Sequence, residues 1–369
     1  MKIVTVVGTR PEIIRLSRII NALDSSLQHY LIHTGQNYDY ELNDIFFDDL
    51  DLKKPKYYLD AVGDNPADTI AKIISSFNSV LDKIRPDAVL VLGDTNSCLA
   101  VIAAKRRKIP IFHLEAGNRC FDERVPEEIN RKIVDHISDI NITYSDISRE
   151  YLLKEGFPSN RIIKLGSPLY EVLEHYSAKI NESKILDKLK LTKDKFFLVS
   201  CHREENIDYD HNISSLHQVL NEVSIRYQLP IIFSTHPRTR NKIEKMNLSF
   251  NPLVKILKPL SFTDYNYLQK NALVVLSDSG SISEEASILG IKALNIRETH
   301  ERPEAMEEAT VIMTGIDTKN ILDCIELLIN SNFKSQIVRD YSFPNVSEKV
   351  LKIILSYTGY VNREVWKKS

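Results

Sequence analysis

The sequence predicts an α/β protein built from two doubly wound, Rossmann-like domains. Two observations carry this. Short apolar runs recur along the chain, each closed by glycine or polar residues, and helical stretches alternate with them. Such runs read as strands buried on both faces of a parallel sheet, and the alternation supplies the crossover helices. The second observation is a break near the middle, where residues 166–194 are less apolar and rich in Lys, Glu and Ser. Length agrees, because 369 residues make two domains at about 150 residues each. The expected division is 1–170 and 171–354, with a last helix at about 355–369 packing back on the first domain.

A strand at 3–7 opens the chain and ends in Gly8-Thr9-Arg10-Pro11-Glu12. Pro11 suits the first turn of a helix. That helix continues through Ile13, Ile14, Leu16, Ile19, Ile20 and Leu23 at helical spacing. A strand–glycine–helix junction offers backbone donors to a phosphate, with Arg10 beside it. Arg15 reads as a surface arginine. A second strand, 30–33, leads into a loop with Gln36, Asn37, Tyr38 and Tyr40, which suits either a sugar pocket or packing. Helices are expected at 41–50 and 66–84.

The most informative stretch is 91–131. An apolar run at 88–92 closes in Gly93-Asp94-Thr95, and one at 109–112 leads into His113-Leu114-Glu115-Ala116-Gly117. Between them, 97–107 reads as a crossover helix. Asp94 and Glu115 therefore fall at carboxyl ends of strands, the edge where open parallel sheets bind ligands. Glu127 follows Pro126 in a new helix, and Arg131 shares its face four residues on. Carboxylates in one cleft have their pKa values pushed apart, so that one gives a proton while another takes it. Asp94 also suits a helix cap and Glu127 a helix dipole. Glu115, set between an apolar strand and Ala-Gly, has no such simple explanation.

Runs at 140–144 and 162–165 complete the first half. The second half repeats the pattern at 196–200, 230–234, 254–257, 272–277, 292–296 and 310–314. His202 ends the first of these strands. A lone histidine is more often structural, but the strand end makes it a general acid/base candidate. Asp278-Ser279-Gly280-Ser281 precedes Glu284-Glu285 at an expected helix start from 279, with bare amides and hydroxyls suited to a diphosphate. Glu284 and Glu285 suit a ribose, and Arg302 adds a cation. Two facing Rossmann-like domains, with a nucleotide-diphosphate site in the second and the active site in the cleft between them, describe a GT-B arrangement.

Composition excludes several classes. Net charge is −2 and the pI about 6.6, so no basic field draws the chain to nucleic acid. Four scattered cysteines form neither a disulfide framework nor zinc spacing. No apolar run is long enough to span a membrane and no leader pattern opens the chain. A cytoplasmic protein is expected.

Taken together, these motifs resemble the non-hydrolysing UDP-N-acetylglucosamine 2-epimerases. The matching pieces are Gly8 to Glu12, Gly93-Asp94-Thr95, His113 to Gly117, Pro126 to Arg131, His202-Arg203, Asp278-Ser279-Gly280, Glu284-Glu285 and Glu301-Arg302-Pro303-Glu304, in family order. The resemblance implies a GT-B fold, a homodimer and no metal or nicotinamide cofactor. It implies elimination of UDP across C1–C2 to a bound glycal, then re-addition with C2 inverted. By the same resemblance Asp94, Glu115, Glu127 and His202 are catalytic, and Arg10, Arg131, Ser279, Gly280, Glu285 and Arg302 bind UDP.

Within that resemblance the chain departs from the UDP-N-acetylglucosamine enzymes. Ser281 stands where they carry a second glycine, and both the 35–40 loop and Phe343-Pro344-Asn345-Val346-Ser347 differ. With the tail 356–368, these features are similar to the UDP-N-acetyl-L-fucosamine synthases of capsule and O-antigen pathways. The expected substrate is then UDP-2-acetamido-2,6-dideoxy-L-talose. Competing readings are a UDP-N-acetylglucosamine 2-epimerase, a GT-B glycosyltransferase and a non-catalytic UDP-sugar-binding protein. The transferase reading needs an acceptor groove or a membrane-facing basic patch that the sequence does not display. The binding-only reading leaves Asp94, Glu115, Glu127 and His202 without a purpose.

Overall fold

The structure, a computed structural model, describes residues 1–35, 44–207, 209–331, 333 and 336–368, with backbone alone at 204 and 205. The chain forms two compact units. One holds Met1–His175 with Arg339–Ser369, and the other holds Tyr176–Val338.

The first unit runs β1 (Lys2–Val7), α1 (Arg10–Ser26), β2 (Gln28–His33), α2 (Asp44–Asp49), β3 (Tyr57–Tyr58), α3 (Pro66–Ile84) and β4 (Ala88–Leu92). It continues through α4 (Val101–Arg106), β5 (Ile111–Leu114), α5 (Pro126–Ile137), β6 (Ile140–Thr143), α6 (Asp146–Lys154), β7 (Ile162–Lys164) and α7 (Leu169–His175). Its strands pair in parallel in the order β3-β2-β1-β4-β5-β6-β7. The apolar stripe of α3, with Ile73, Phe77, Leu81 and Ile84, lies on Val4, Val6, Val89 and Val91. The stripe covers one face of β4, and Ala88, Leu90 and Leu92 of the alternate positions are buried as well, which is why 88–92 is apolar throughout.

The second unit runs α8 (Ser177–Asn181), α9 (Ile185–Leu189), β8 (Phe197–Cys201), α10 (Glu204–Ile207), α11 (Asp210–Tyr227), β9 (Ile231–Thr235), α12 (Pro237–Lys245) and β10 (Val254–Leu257). Then come α13 (Phe262–Asn271), β11 (Val274–Ser277), α14 (Ile282–Leu289), β12 (Ala293–Asn295), α15 (Pro303–Glu307), β13 (Ile312–Met313) and α16 (Thr318–Asn330). This sheet is also parallel, ordered β10-β9-β8-β11-β12-β13. Strand order reverses between β1 and β4 in one unit and between β8 and β11 in the other. These switch points are where such sheets bind ligands.

The last helix, α17 (Val346–Glu364), packs on α1 of the first unit. The return to that unit falls at Arg339, earlier than residue 355. Ser167 N–H donates to Asp340 O at 2.9 Å, Lys164 Nζ reaches Asp340 at 2.9 Å, and Ser347 N–H donates to Glu171 at 2.8 Å. Gly166, at φ +88°, lets Phe343 and Asp340 close in where a Cβ would collide.

Local boundaries also shift. The expected helix over 97–107 begins as a 3-10 turn, Asn96–Ala100. Thr95 is the cause, because its Oγ1 accepts from Ser97 N and its carbonyl from Cys98 N, which tightens the turn. The helix expected from 279 begins at Ile282, since Ile282 N–H bonds Ser279 O and leaves 279–281 as a turn. Residues 36–43, with Tyr38 and Tyr40, lie outside the described residues.

Candidate active site

In the first unit, three strand ends bring carboxylates together. Glu12, Asp94 and Glu115 all act electrostatically on Cys98, whose thiol is pushed well above its usual range, first by burial and then by those charges. A Cβ on Gly93 would stand 4.0 Å from Glu115 Oε2. Glu115 therefore lies against the turn that carries Asp94.

Each expected carboxylate has a defined setting. Asp94 Oδ2 is held by Arg131, with Nε at 3.0 Å and Nη2 at 2.7 Å. Glu115 sits at φ +70°, a left-handed conformation that costs a non-glycine residue energy. Arg15 Nη1 is 2.5 Å from Glu115 Oε2, and Asn118 Nδ2 donates to Oε1 at 3.2 Å. Arg15 is thus buried and paired, not a surface arginine. Glu127 stands half-buried in the first turn of α5.

Arg131, expected as a UDP ligand, bonds Asp94 and also Glu128, whose Oε2 lies 3.0 Å from Nη1. Glu128 is fully buried and accepts from Cys120 N at 3.0 Å and Phe121 N at 3.3 Å, tying that loop to α5. Arg10 begins α1, with its guanidinium 5.8 Å from the centre of the Phe46 ring. The amides of Gly8 and Thr9, read as phosphate donors, are used by Glu12 at 2.6 and 2.8 Å. Glu12 also accepts from Thr95 Oγ1 at 2.5 Å. Burial outweighs these bonds and raises its carboxyl to about 7.

In the second unit, Asp278 organises the end of β8. It is buried and accepts from His202 N at 2.9 Å, Arg203 N at 2.9 Å and Asn206 Nδ2 at 3.1 Å. His202 Nδ1 stands 3.2 Å from Asp278 Oδ1, so a carboxylate backs a half-buried imidazole. Burial pushes Asp278 up, but His202, the Arg203 amide, Cys201 and Asn206 together hold it below the usual range.

The turn 279–281 is crosslinked by hydroxyls. Ser279 Oγ is 2.9 Å from Ser281 Oγ, which donates to Glu285 Oε1 at 3.0 Å. Gln269 Nε2 fixes the other oxygen of Glu285 at 2.6 Å. A Cβ on Gly280 would stand 3.4 Å from Arg203 Nη2 and 3.5 Å from Glu301 Oε2. Glu284, read with Glu285 as a ribose ligand, is instead fully buried and accepts from Arg302 Nε at 2.9 Å.

The structure thus joins Asp94 with Arg131, and Ser279 through Ser281 with Glu285. Sequence reasoning gave no separate role to the anchors Glu12, Glu128 and Asp278, and it read the anchor Arg15 as a surface residue. Two of these left a local signal: Glu128 in its i,i+3 spacing to Arg131, and Glu12 in its capping-box spacing to Thr9. Among the described residues no group of three or more His, Cys, Asp or Glu is placed to hold a metal. Among them too, no helix is long and apolar enough to cross a membrane.

A family model described as UDP-N-acetylglucosamine 2-epimerase matches residues 21–355. A UDP-N-acetylglucosamine 2-epimerase structure from Rickettsia bellii is 49% identical, with TM-score 0.91 and full coverage of both chains. The Methanocaldococcus jannaschii UDP-N-acetylglucosamine 2-epimerase, solved with UDP-N-acetylglucosamine and UDP, is 32% identical with TM-score 0.91, covering 96% of this chain and 100% of that one. A Pseudomonas aeruginosa relative, a UDP-2,3-diacetamido-2,3-dideoxy-D-glucuronate 2-epimerase, is 33% identical over 85% of this chain and 88% of its own. The fold is GT-B. With matches of this extent, the chain belongs to the non-hydrolysing UDP-N-acetylglucosamine 2-epimerase family, whose members are isomerases.

Proposed function

We propose that this UDP-sugar 2-epimerase inverts C2 of UDP-2-acetamido-2,6-dideoxy-L-talose, giving UDP-N-acetyl-L-fucosamine for capsule or O-antigen synthesis. The observation that carries the chemistry is the placing of Asp94 and Glu115 at adjacent strand ends, each against a buried arginine. A weakly acidic C2 proton needs a positioned base, and a departing diphosphate needs cations. A base takes the C2 proton, the C2 electron pair forms the C1=C2 bond, and the C1–O bond breaks to release UDP. Return of UDP to C1 and of a proton to the opposite face of C2 completes the inversion. Asp94, Glu115, Glu127 and His202 are the proton-handling groups in this reading. Arg10, Arg131, Ser279, Gly280, Glu285 and Arg302 hold UDP. Arg131 has a second task, the orientation of Asp94. The enzyme works as a cytoplasmic homodimer without cofactor.

Family membership leaves the sugar open, as the Pseudomonas aeruginosa relative's name illustrates. The 6-deoxy sugar is supported by Ser281, by Phe343 to Ser347 and by the tail 356–368. The second reading is UDP-N-acetylglucosamine, favoured by the name of the Rickettsia bellii structure at 49% identity. The test offers both UDP-sugars in deuterated water and follows C2 by proton NMR. Deuterium at C2 of the 6-deoxy product, with little turnover of UDP-N-acetylglucosamine, is expected. Efficient epimerisation of UDP-N-acetylglucosamine with the 6-deoxy sugar inert establishes the second reading. Turnover of neither removes both.

A further inference from the structure

The turn Gly93-Asp94-Thr95 is gripped at each residue by a buried charged or titratable side chain from a different element. Arg131 of α5 holds Asp94, and Glu12 of α1 holds Thr95. His113 of β5 holds Gly93, with Nε2 2.7 Å from Gly93 O. His113 is fully buried and one strand over from the turn it grips. The Gly93 carbonyl lies in the same rigid peptide plane as the Asp94 amide. Fixing that oxygen therefore fixes the plane from which the Asp94 side chain departs. Gly93 N–H is bonded to Leu114 O at 2.9 Å, so both peptides flanking Gly93, at φ +78°, are pinned.

The imidazole is itself held. Its Nδ1 stands 2.9 Å from Asp135 Oδ1, an ion-pair approach rather than a well-directed hydrogen bond. Asp135 Oδ2 takes Arg119 Nη1 at 2.8 Å, and Arg119 is anchored by Glu155 through Nε at 2.8 Å and Nη2 at 2.6 Å. Burial pushes the Asp135 carboxyl up, but His113 and Arg119 outweigh it and keep it below the usual range. An anion thus backs the ring, and the Gly93 carbonyl takes the Nε2 proton. The one hydrogen bond of this buried ring is spent on the turn that carries Asp94, and its other nitrogen faces a carboxylate.

We propose that His113 is a positioning residue for the epimerase reaction, aiming Asp94 through its hydrogen bond to the Gly93 carbonyl, with Asp135 orienting its ring. The inference rests on the reading of Asp94 as catalytic. The test uses the full chain and whichever of the two UDP-sugars above it turns over. His113→Leu removes the donor and should lower kcat by about tenfold or more with KM little changed, because small misplacements of a catalytic group act on the reacting state. His113→Gln carries an amide donor of similar reach and should recover most of that loss. In the Asp94→Asn background, His113→Leu should cost nothing further, since both act on one group. Should His113→Leu not fold, Asp135→Asn serves, with the same fall in kcat at unchanged KM expected. Wild-type kcat in His113→Leu, no recovery in His113→Gln, or a multiplied loss in the double variant overturns the proposal. Wild-type turnover in Asp94→Asn alone overturns the reading of Asp94 itself, a separate measurement.

Discussion

Arg131 grips Asp94 Oδ2 with two nitrogens, at 3.0 and 2.7 Å, while its Nη1 holds the buried Glu128 at 3.0 Å. One guanidinium thus ties the end of β4 to the first turn of α5. Removing it strands a buried carboxylate. Arg131→Met is expected to cost about 3–5 kcal/mol of stability, the usual result of breaking a buried pair. Pairing it with Glu128→Gln should return part of that loss. Urea unfolding of the singles and the double checks this, and an additive double contradicts the coupling.

The proton-handling groups give the next expectation. Asp94→Asn, Glu115→Gln and Glu127→Gln should each reduce turnover by roughly a hundredfold or more, as losses of a general acid or base do. Incorporation of deuterium at C2 measures the step directly. Near-normal turnover in all three, with unchanged circular dichroism, removes the assignment.

Those positions differ in how far the sequence reveals them. The strands that carry Asp94 and Glu115 are legible because a strand covered on both faces must be apolar throughout. The partners of these carboxylates are not. Arg15 and Glu115 are a hundred residues apart, and only the sheet order, β1 beside β4 beside β5, brings them together. The same holds for His202 and Asp278, joined because β8 pairs with β11. The Gly8 and Thr9 amides pointed to phosphate by sequence, but the capping carboxylate of Glu12 claims them first. Local pattern marks the elements. Partner choice follows from how the sheets are ordered.

Arg302 is the nucleotide-side expectation. Its Nε is anchored on Glu284 at 2.9 Å, in a fully buried setting. If its guanidinium makes a charge-assisted bond to UDP, Arg302→Ala should weaken UDP binding by about 2–3 kcal/mol. Glu284→Gln should weaken it less, in the same direction, by loosening the anchor. Calorimetry with UDP decides. Unchanged affinity in Arg302→Ala takes the residue out of the site.

Glu12 makes the pH dependence of stability specific. Its carboxyl is raised from 4.5 to about 7, chiefly by burial, against the bonds from Thr95, Gly8 and Thr9. The folded state then holds a proton that the unfolded chain has released between those two values. Stability from this group is fully present below about pH 4.5 and is lost as pH rises to about 7. The loss is on the order of 3 kcal/mol, from the separation of the two values. Glu12→Gln keeps the shape of the protonated carboxyl and cannot ionise. Wild type minus Glu12→Gln should therefore fall in stability across that window, while carboxylates common to both proteins cancel. Denaturant midpoints at pH 5 and pH 8 measure the difference. A difference that stays level, or rises with pH, means that Glu12 is ionised in the folded protein throughout and that its three donors outweigh its burial.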